Sequence, residues 1–202
     1  MVAPLTTILS NIQEPNRSLA QQITYESDEY QTFRAIAFTM PSEAYFLTSV
    51  SLVLSGFPEE TGNPLVSILN YDRGPDRPGS AYATLVGPPG PPPVGISTVS
   101  FAPTHAILLK ADQTYWLQLS QSGPGRFGWV FPEPMVQPTG VAQEDGTLRV
   151  SLRPVGDNYF LDHAWWNQFS IEGVAVPELN SVGLVILAAP FLLRRRRANK
   201  TR

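Results

Sequence analysis

His105 and His163 are the only imidazoles in this chain of 202 residues, so any proton relay or histidine metal site must use them. Neither has a second histidine at ligand spacing. His163 stands beside Asp162, but adjacent residues of a strand point to opposite faces, and the two make no dyad there. His105 follows Ala102, Pro103 and Thr104 at a strand start and reads as a surface or edge residue. No Gly-x-Ser-x-Gly occurs, so there is no nucleophile elbow of the α/β-hydrolase kind. With no cysteine, disulfides, thiolate metal sites and cysteine nucleophiles are excluded, while the redox compartment stays undecided. Carboxylates are more plentiful: Glu59 and Glu60, Asp72 and Asp76, Glu144 and Asp145, Asp157 and Asp162. Two of them facing across a cleft would suit glycoside hydrolysis. Loop oxygens would suit calcium, yet no stretch has the acid spacing of a calcium loop. The sequence predicts no catalytic, cofactor or metal site, and the acids read as solvated loop charge.

Aromatic side chains offer a different chemistry. Trp116, Trp129, Trp165 and Trp166, with Tyr115 and Phe127, would stack on sugar rings from one exposed face, and otherwise fill a core. Trp165 and Trp166 are adjacent, so in a strand one of them faces outward. They are the candidate ligand-binding aromatics. Carbohydrate binding is thus the alternative to a structural role, with a polysaccharide-directed hydrolase behind it.

The elements that would position these groups read as short strands from Thr6 to about Ile171. The 20 prolines and 15 glycines, with 15% charged residues, imply many turns and little helix. "TFRAIAF" (Thr32 to Phe38) sets Phe33, Ala35 and Ala37 against Arg34, Ile36 and Phe38, and either face could be inner. In "YFLTSVSLVL" (Tyr45 to Leu54), Val50, Leu52 and Leu54 share one face, with Ser49, Ser51 and Val53 on the other. "LVSILNY" (Leu65 to Tyr71) is a strand closed by the dense turn signal "DRGPDRPGS". "AYATLV", "GISTVSF", "HAILLK" and "TYWLQL" follow, then "TLRVSL" (Thr147 to Leu152) and "WWNQFSIEGV" (Trp165 to Val174). "GPPGPPP" (Gly87 to Pro93) keeps a collagen register for barely two triplets and reads as a stiff extended loop. The pattern predicts an all-β, antiparallel β-sandwich with a jelly-roll-like topology over residues 1–175.

Charge then divides the chain. The net charge of −3 hides a body, residues 1–193, with 8 bases against 17 acids, a net of −9. The other six bases lie in the last nine positions with no acid among them. So acidic a body repels phosphate backbones, which excludes nucleic acid as its partner. Before the basic block runs an apolar segment: Val182, Gly183, Leu184, Val185, Ile186, Leu187, Ala188, Ala189, Pro190, Phe191, Leu192 and Leu193. A helix from Val174 to Leu193 would be about 30 Å long, one bilayer core thick. Arg194, Arg195, Arg196 and Arg197 directly after it act as a cytoplasmic stop, leaving the body outside the cytoplasm. Each arginine near an anionic leaflet is worth about 1 kcal/mol. A nuclear-localisation or nucleic-acid-binding tail is the rival reading, but such tails abut polar sequence.

"VPELNSVGLVILAAPFLLRRRR" resembles the PEP-CTERM sorting signal of bacterial exported proteins, which joins a Val-Pro-Glu-Pro motif, a short transmembrane helix and a terminal arginine cluster. Val176, Pro177 and Glu178 match the motif, and Leu179 stands where the family most often has its second proline. Residues 176–202 would then form the signal. The resemblance implies recognition and processing by an exosortase-type membrane protease, with an inner-membrane precursor and a cell-surface or extracellular product. It also implies a setting of secreted exopolysaccharide, a candidate partner. The body resembles the choice-of-anchor domains of type R through "SVSLVLSG", "VSILNYDRGPDRPGSAYATL", "LLKADQTYWLQLSQ" and "WWNQFSIEGVAVPE". That family implies a non-enzymatic surface protein and carries over no active residues. Its members begin with a signal peptide, whereas "MVAPLTTILSNIQEPNRSLAQQ" has no basic leader and no apolar core of that length. The resemblance therefore implies a start upstream of Met1.

Overall fold

The segment Tyr45–Gly56 shows how alternation becomes structure. Val50, Leu52 and Leu54 are fully buried on one face, while Ser49 and Ser51 are half-buried on the other. Val53 shares that outer face and is also buried, its N–H donating to the Gln168 carbonyl at 3.2 Å. The computed structural model describes residues 4–13, 18–27, 30–71, 78–151, 159–161 and 166–177. In chain order the strands are β1 (Leu5–Ser10), β2 (Ser18–Ser27), β3 (Tyr30–Gln31), β4 (Phe33–Thr39), β5 (Tyr45–Gly56), β6 (Asn63–Asn70) and β7 (Ala81–Val86). There follow β8 (Gly95–Pro103), β9 (Ile107–Leu109), β10 (Thr114–Ser122), β11 (Gly125–Pro132), β12 (Gln143–Ser151), β13 (Tyr159–Leu161) and β14 (Phe169–Ala175). The described residues contain no helix, and none among them is long and apolar enough to cross a membrane.

Every strand ladder is antiparallel. One layer runs β13-β12-β4-β10-β6-β7. The other is organised on β5, which pairs β8 and β9 along one side and β14 and β11 along the other. β1 then adds to β14, β2 to β11 and β3 to β2. The layers join through β7 and β8, which pair only at Leu85 with Pro103 and Val86 with Ala102. The sheet thus folds back on itself, and one core lies between its halves. Ile36, Phe38 and Leu117 face it from the first layer, and Leu52, Trp129 and Phe169 from the second.

Both faces of β4 are covered, which explains why its pattern reads ambiguously. Ile36 and Phe38 enter the main core, while Ala35 and Ala37 join Leu69 and Trp116 in a second cluster. Two differences from the sequence reading stand out. Residues Leu5–Ser10, Ser18–Ser27 and Gly125–Pro132 form strands that alternation alone does not single out. The last strand starts at Phe169 rather than Trp165. Asn167 and Gln168 point their hydrogen bonds at β11 and the N-terminal segment, so Trp166 to Gln168 form a crossing and no ladder.

Candidate functional site

Three groups of residues had a chemical reading, and the fold treats them differently. Most of the aromatics are core. Trp116, Trp129 and Phe127 are completely buried and Tyr115 is 4% exposed, so none forms an exposed platform. The Trp129 indole N–H donates to the Gln168 carbonyl at 2.9 Å, which satisfies its polar handle inside the protein. Trp166 lies before β14, half-buried and packed against the main core. Trp165 lies outside the described residues, as do His163 and Asp162.

The carboxylates that the structure describes do not gather. Glu60 accepts the Arg126 backbone N–H at 3.1 Å and its Nε–H at 2.8 Å, and the Arg126 guanidinium lies 5.5 Å from the Phe57 ring centroid. This pins the β5–β6 loop to the β10–β11 turn. Glu59 sits beside it at φ 65°, a left-handed turn position. Glu144 is half-buried in β12, and Asp72, Asp76, Asp157 and Asp162 lie outside the described residues. Among the described residues no group of three or more His, Cys, Asp or Glu is placed to hold a metal ion. His105 is exposed in the bend between β8 and β9, its Nδ1 3.2 Å from the Thr104 hydroxyl.

The residues read from sequence as a sorting signal begin at the end of the last described strand. Ala175 pairs with Tyr45, and the Val176 N–H makes one more bond, to the Ala44 carbonyl at 2.8 Å. Pro177 has no N–H to continue the ladder and is exposed. Glu178, Leu179, the apolar run Val182 to Leu193 and the cluster Arg194 to Arg197 lie outside the described residues, as does the expected transmembrane helix.

One cleft was not visible in the sequence. It has a volume of about 470 Å³ and lies where β6 ends, β7 begins and the β9–β10 turn delivers the chain into β10. Three tyrosines line it. Tyr71 is stacked on Trp116, with centroids 5.7 Å apart and planes 16° off parallel. Tyr82 and Tyr115 tilt against each other at 5.4 Å. The Tyr82 hydroxyl donates to the Leu108 carbonyl at 2.6 Å, and the Tyr115 hydroxyl accepts the Lys110 backbone N–H at 3.0 Å. Burial raises the Tyr115 phenol above its ordinary value; the Lys110 N–H opposes that shift and Tyr82 adds to it. Asn70, Lys110, Asp112, Gln113 and Thr114 supply the polar lining. Asp112 holds the turn at φ 54°, its N–H donating to the Pro41 carbonyl at 2.9 Å. Sequence reading misses this site because its residues come from three separate segments.

The chain matches no protein-family model, and no curated protein matches it in sequence. Among solved structures it is similar to one titled "Structure of infectious bursal disease virus Gx strain", at 12% identity and a TM-score of 0.27. The match covers 81% of this chain and 42% of that one, so this chain spans less than half the length of its neighbour. A superposition that loose carries no argument about this protein.

Proposed function

We propose that the protein is a non-enzymatic, exported surface or extracellular-matrix module, a jelly-roll-like sandwich delivered by a C-terminal sorting signal. The observation that carries this reading is the position of the motif. Val176 is the last described residue tied to the sheet and Pro177 has no N–H to extend the ladder, which supports a motif that starts at the border of the folded body. A membrane protease acting beside the motif would cut next to the domain without unfolding it. The apolar run and the arginines beyond supply a transmembrane helix and a cytoplasmic stop. The acidic body, with a net charge of −9, has no reason to seek an anionic leaflet. Partners on this reading are an exosortase-type protease and, at the surface, exopolysaccharide.

Membrane flotation tests it. The full chain, produced with an export signal, should float with membranes, and the chain cut after Glu178 should stay in the soluble fraction. Replacing Arg194 to Arg197 by Glu should reduce retention while leaving the melting temperature of the body unchanged. If full and shortened chains fractionate alike as soluble protein, the anchor reading is wrong.

A further inference from the structure

The cleft beside Tyr71 combines features that few surface depressions share. Its volume of about 470 Å³ falls within the range of small-molecule pockets, roughly 300–1,000 Å³. Its tyrosine rings are held in place: Tyr71 rests on a fully buried indole, and the Tyr82 and Tyr115 phenols are tied to backbone groups. Tyr115 is itself buried, and the half-buried rings of Tyr71 and Tyr82, so fixed, present apolar surface at little entropic cost on binding. Around them, in the described lining, stand the Gln113 amide and one charge of each sign, Lys110 and Asp112, while the Asn70 amide already donates to the Ser80 hydroxyl at 3.0 Å and the Thr114 hydroxyl lies 2.8 Å from that of Thr39. These groups offer donors and acceptors in nearly equal measure.

The ligand must therefore have both C–H faces and hydroxyl edges. An entirely apolar molecule would strip water from Lys110 and Asp112 without compensation. Among the described lining residues an anion meets a single lysine, on a body whose net charge is −9. A pyranose ring fits both demands, its axial C–H groups against tyrosine and its hydroxyls against amide and carboxylate. We infer that this cleft binds a neutral saccharide. The inference draws on the folded body alone and does not depend on the proposed sorting.

The cleft is open to test with intact protein. Titration calorimetry would use neutral tetrasaccharides of glucose, mannose, xylose and galactose, with trigalacturonate and adenosine as the anionic and stacking comparisons. At least one neutral saccharide should bind saturably. Gln113→Ala and Asp112→Asn should each weaken it by about tenfold, the loss expected for one hydrogen bond from a bound ligand. Both side chains are exposed, and asparagine tolerates the left-handed turn at position 112, so the fold should survive. Unchanged melting temperatures would confirm that. Arg126→Ala, at the start of β11 and away from the cleft lining, should leave binding as it was. The inference is overturned if no neutral saccharide binds, or if both cleft variants bind like the parent. It is equally overturned if trigalacturonate or adenosine binds more tightly than every neutral saccharide. None of these outcomes bears on the membrane-partition experiment, which reads the tail.

Discussion

Leu52 and Ser51 are neighbours in β5 and lie on opposite sides of the same sheet. Leu52 is fully buried in the main core, across from Val99 and Phe169 in register. Ser51 is half-buried on the other face, its hydroxyl 2.9 Å from that of Ser100. Leu52→Ala should therefore cost about 2–5 kcal/mol. Ser51→Ala loses only a hydroxyl pair that water can replace, and should stay within about 0.5 kcal/mol. Urea titration of both variants checks the contrast, and equal costs would mean that burial does not follow the strand phase. At this scale the sequence was readable wherever period and polarity agreed, as in Val50, Leu52 and Leu54. It was less readable for aromatics. A tryptophan reads the same whether it is sealed in a core like Trp116 or could face a ligand, because only its neighbours in space decide. The cleft tyrosines were hidden for that reason: Tyr71, Tyr82 and Tyr115 meet only through sheet pairing.

Strand β14 is set in place by amides rather than by apolar contact alone. Asn11 accepts the Phe169 N–H at 2.9 Å and donates to the Asn167 carbonyl at 3.1 Å, while the Asn167 side chain donates to the Trp129 carbonyl at 2.8 Å. Asn11 is 3% exposed and Asn167 not at all, so water cannot take over these bonds. Each buried group left unpaired costs about 1–3 kcal/mol. Asn167→Ala abandons the Trp129 carbonyl, whereas Asn11→Ala abandons the Phe169 N–H and the carbonyls of Asn167 and Val136. Asn11→Ala should thus be the more destabilising, and the double variant should fall short of the sum, since the two share one network. Thermal melts of the two singles and the double decide it; additive losses would deny the coupling. β5 was legible in the sequence from the alternation of its second half, and β6 from the dense turn signal that closes it. β11 was not, because Gly128 in its middle reads as a strand breaker. The structure gives that glycine a reason, since a Cβ there would stand 2.6 Å from the Ala20 Cβ on β2.

The first and last described strands lie side by side, β1 against β14 with Leu5 opposite Val174. Ala175, Tyr45 and Leu109 form one cross-strand row, which places the root of the tail about 10 Å from the turn that carries Lys110. The all-β, antiparallel class was legible from composition and strand spacing, but this convergence of the first and last described strands near the cleft was not. Register between segments 160 residues apart leaves no local trace. β1 earns its place by two side chains, Ile8 and Leu9, which are 0% and 1% exposed. It also shields the outer edge of β14, and it fits so closely that a Cβ at Gly140 would collide with the Ile8 carbonyl. Removing residues 1–10 should expose two core positions, each worth about 2–5 kcal/mol when emptied. Together that approaches the whole stability of an ordinary domain, about 5–15 kcal/mol. It also leaves the backbone groups of β14 as an open template for pairing between molecules. The shortened chain should unfold at markedly lower urea and elute from a sizing column as dimers or larger species. Leu5→Lys, at a β1 position 63% exposed, should shift stability by no more than about 0.5 kcal/mol. A shortened chain that stays monomeric and melts like the parent would show that β1 merely decorates the sheet, and that the body is complete without it.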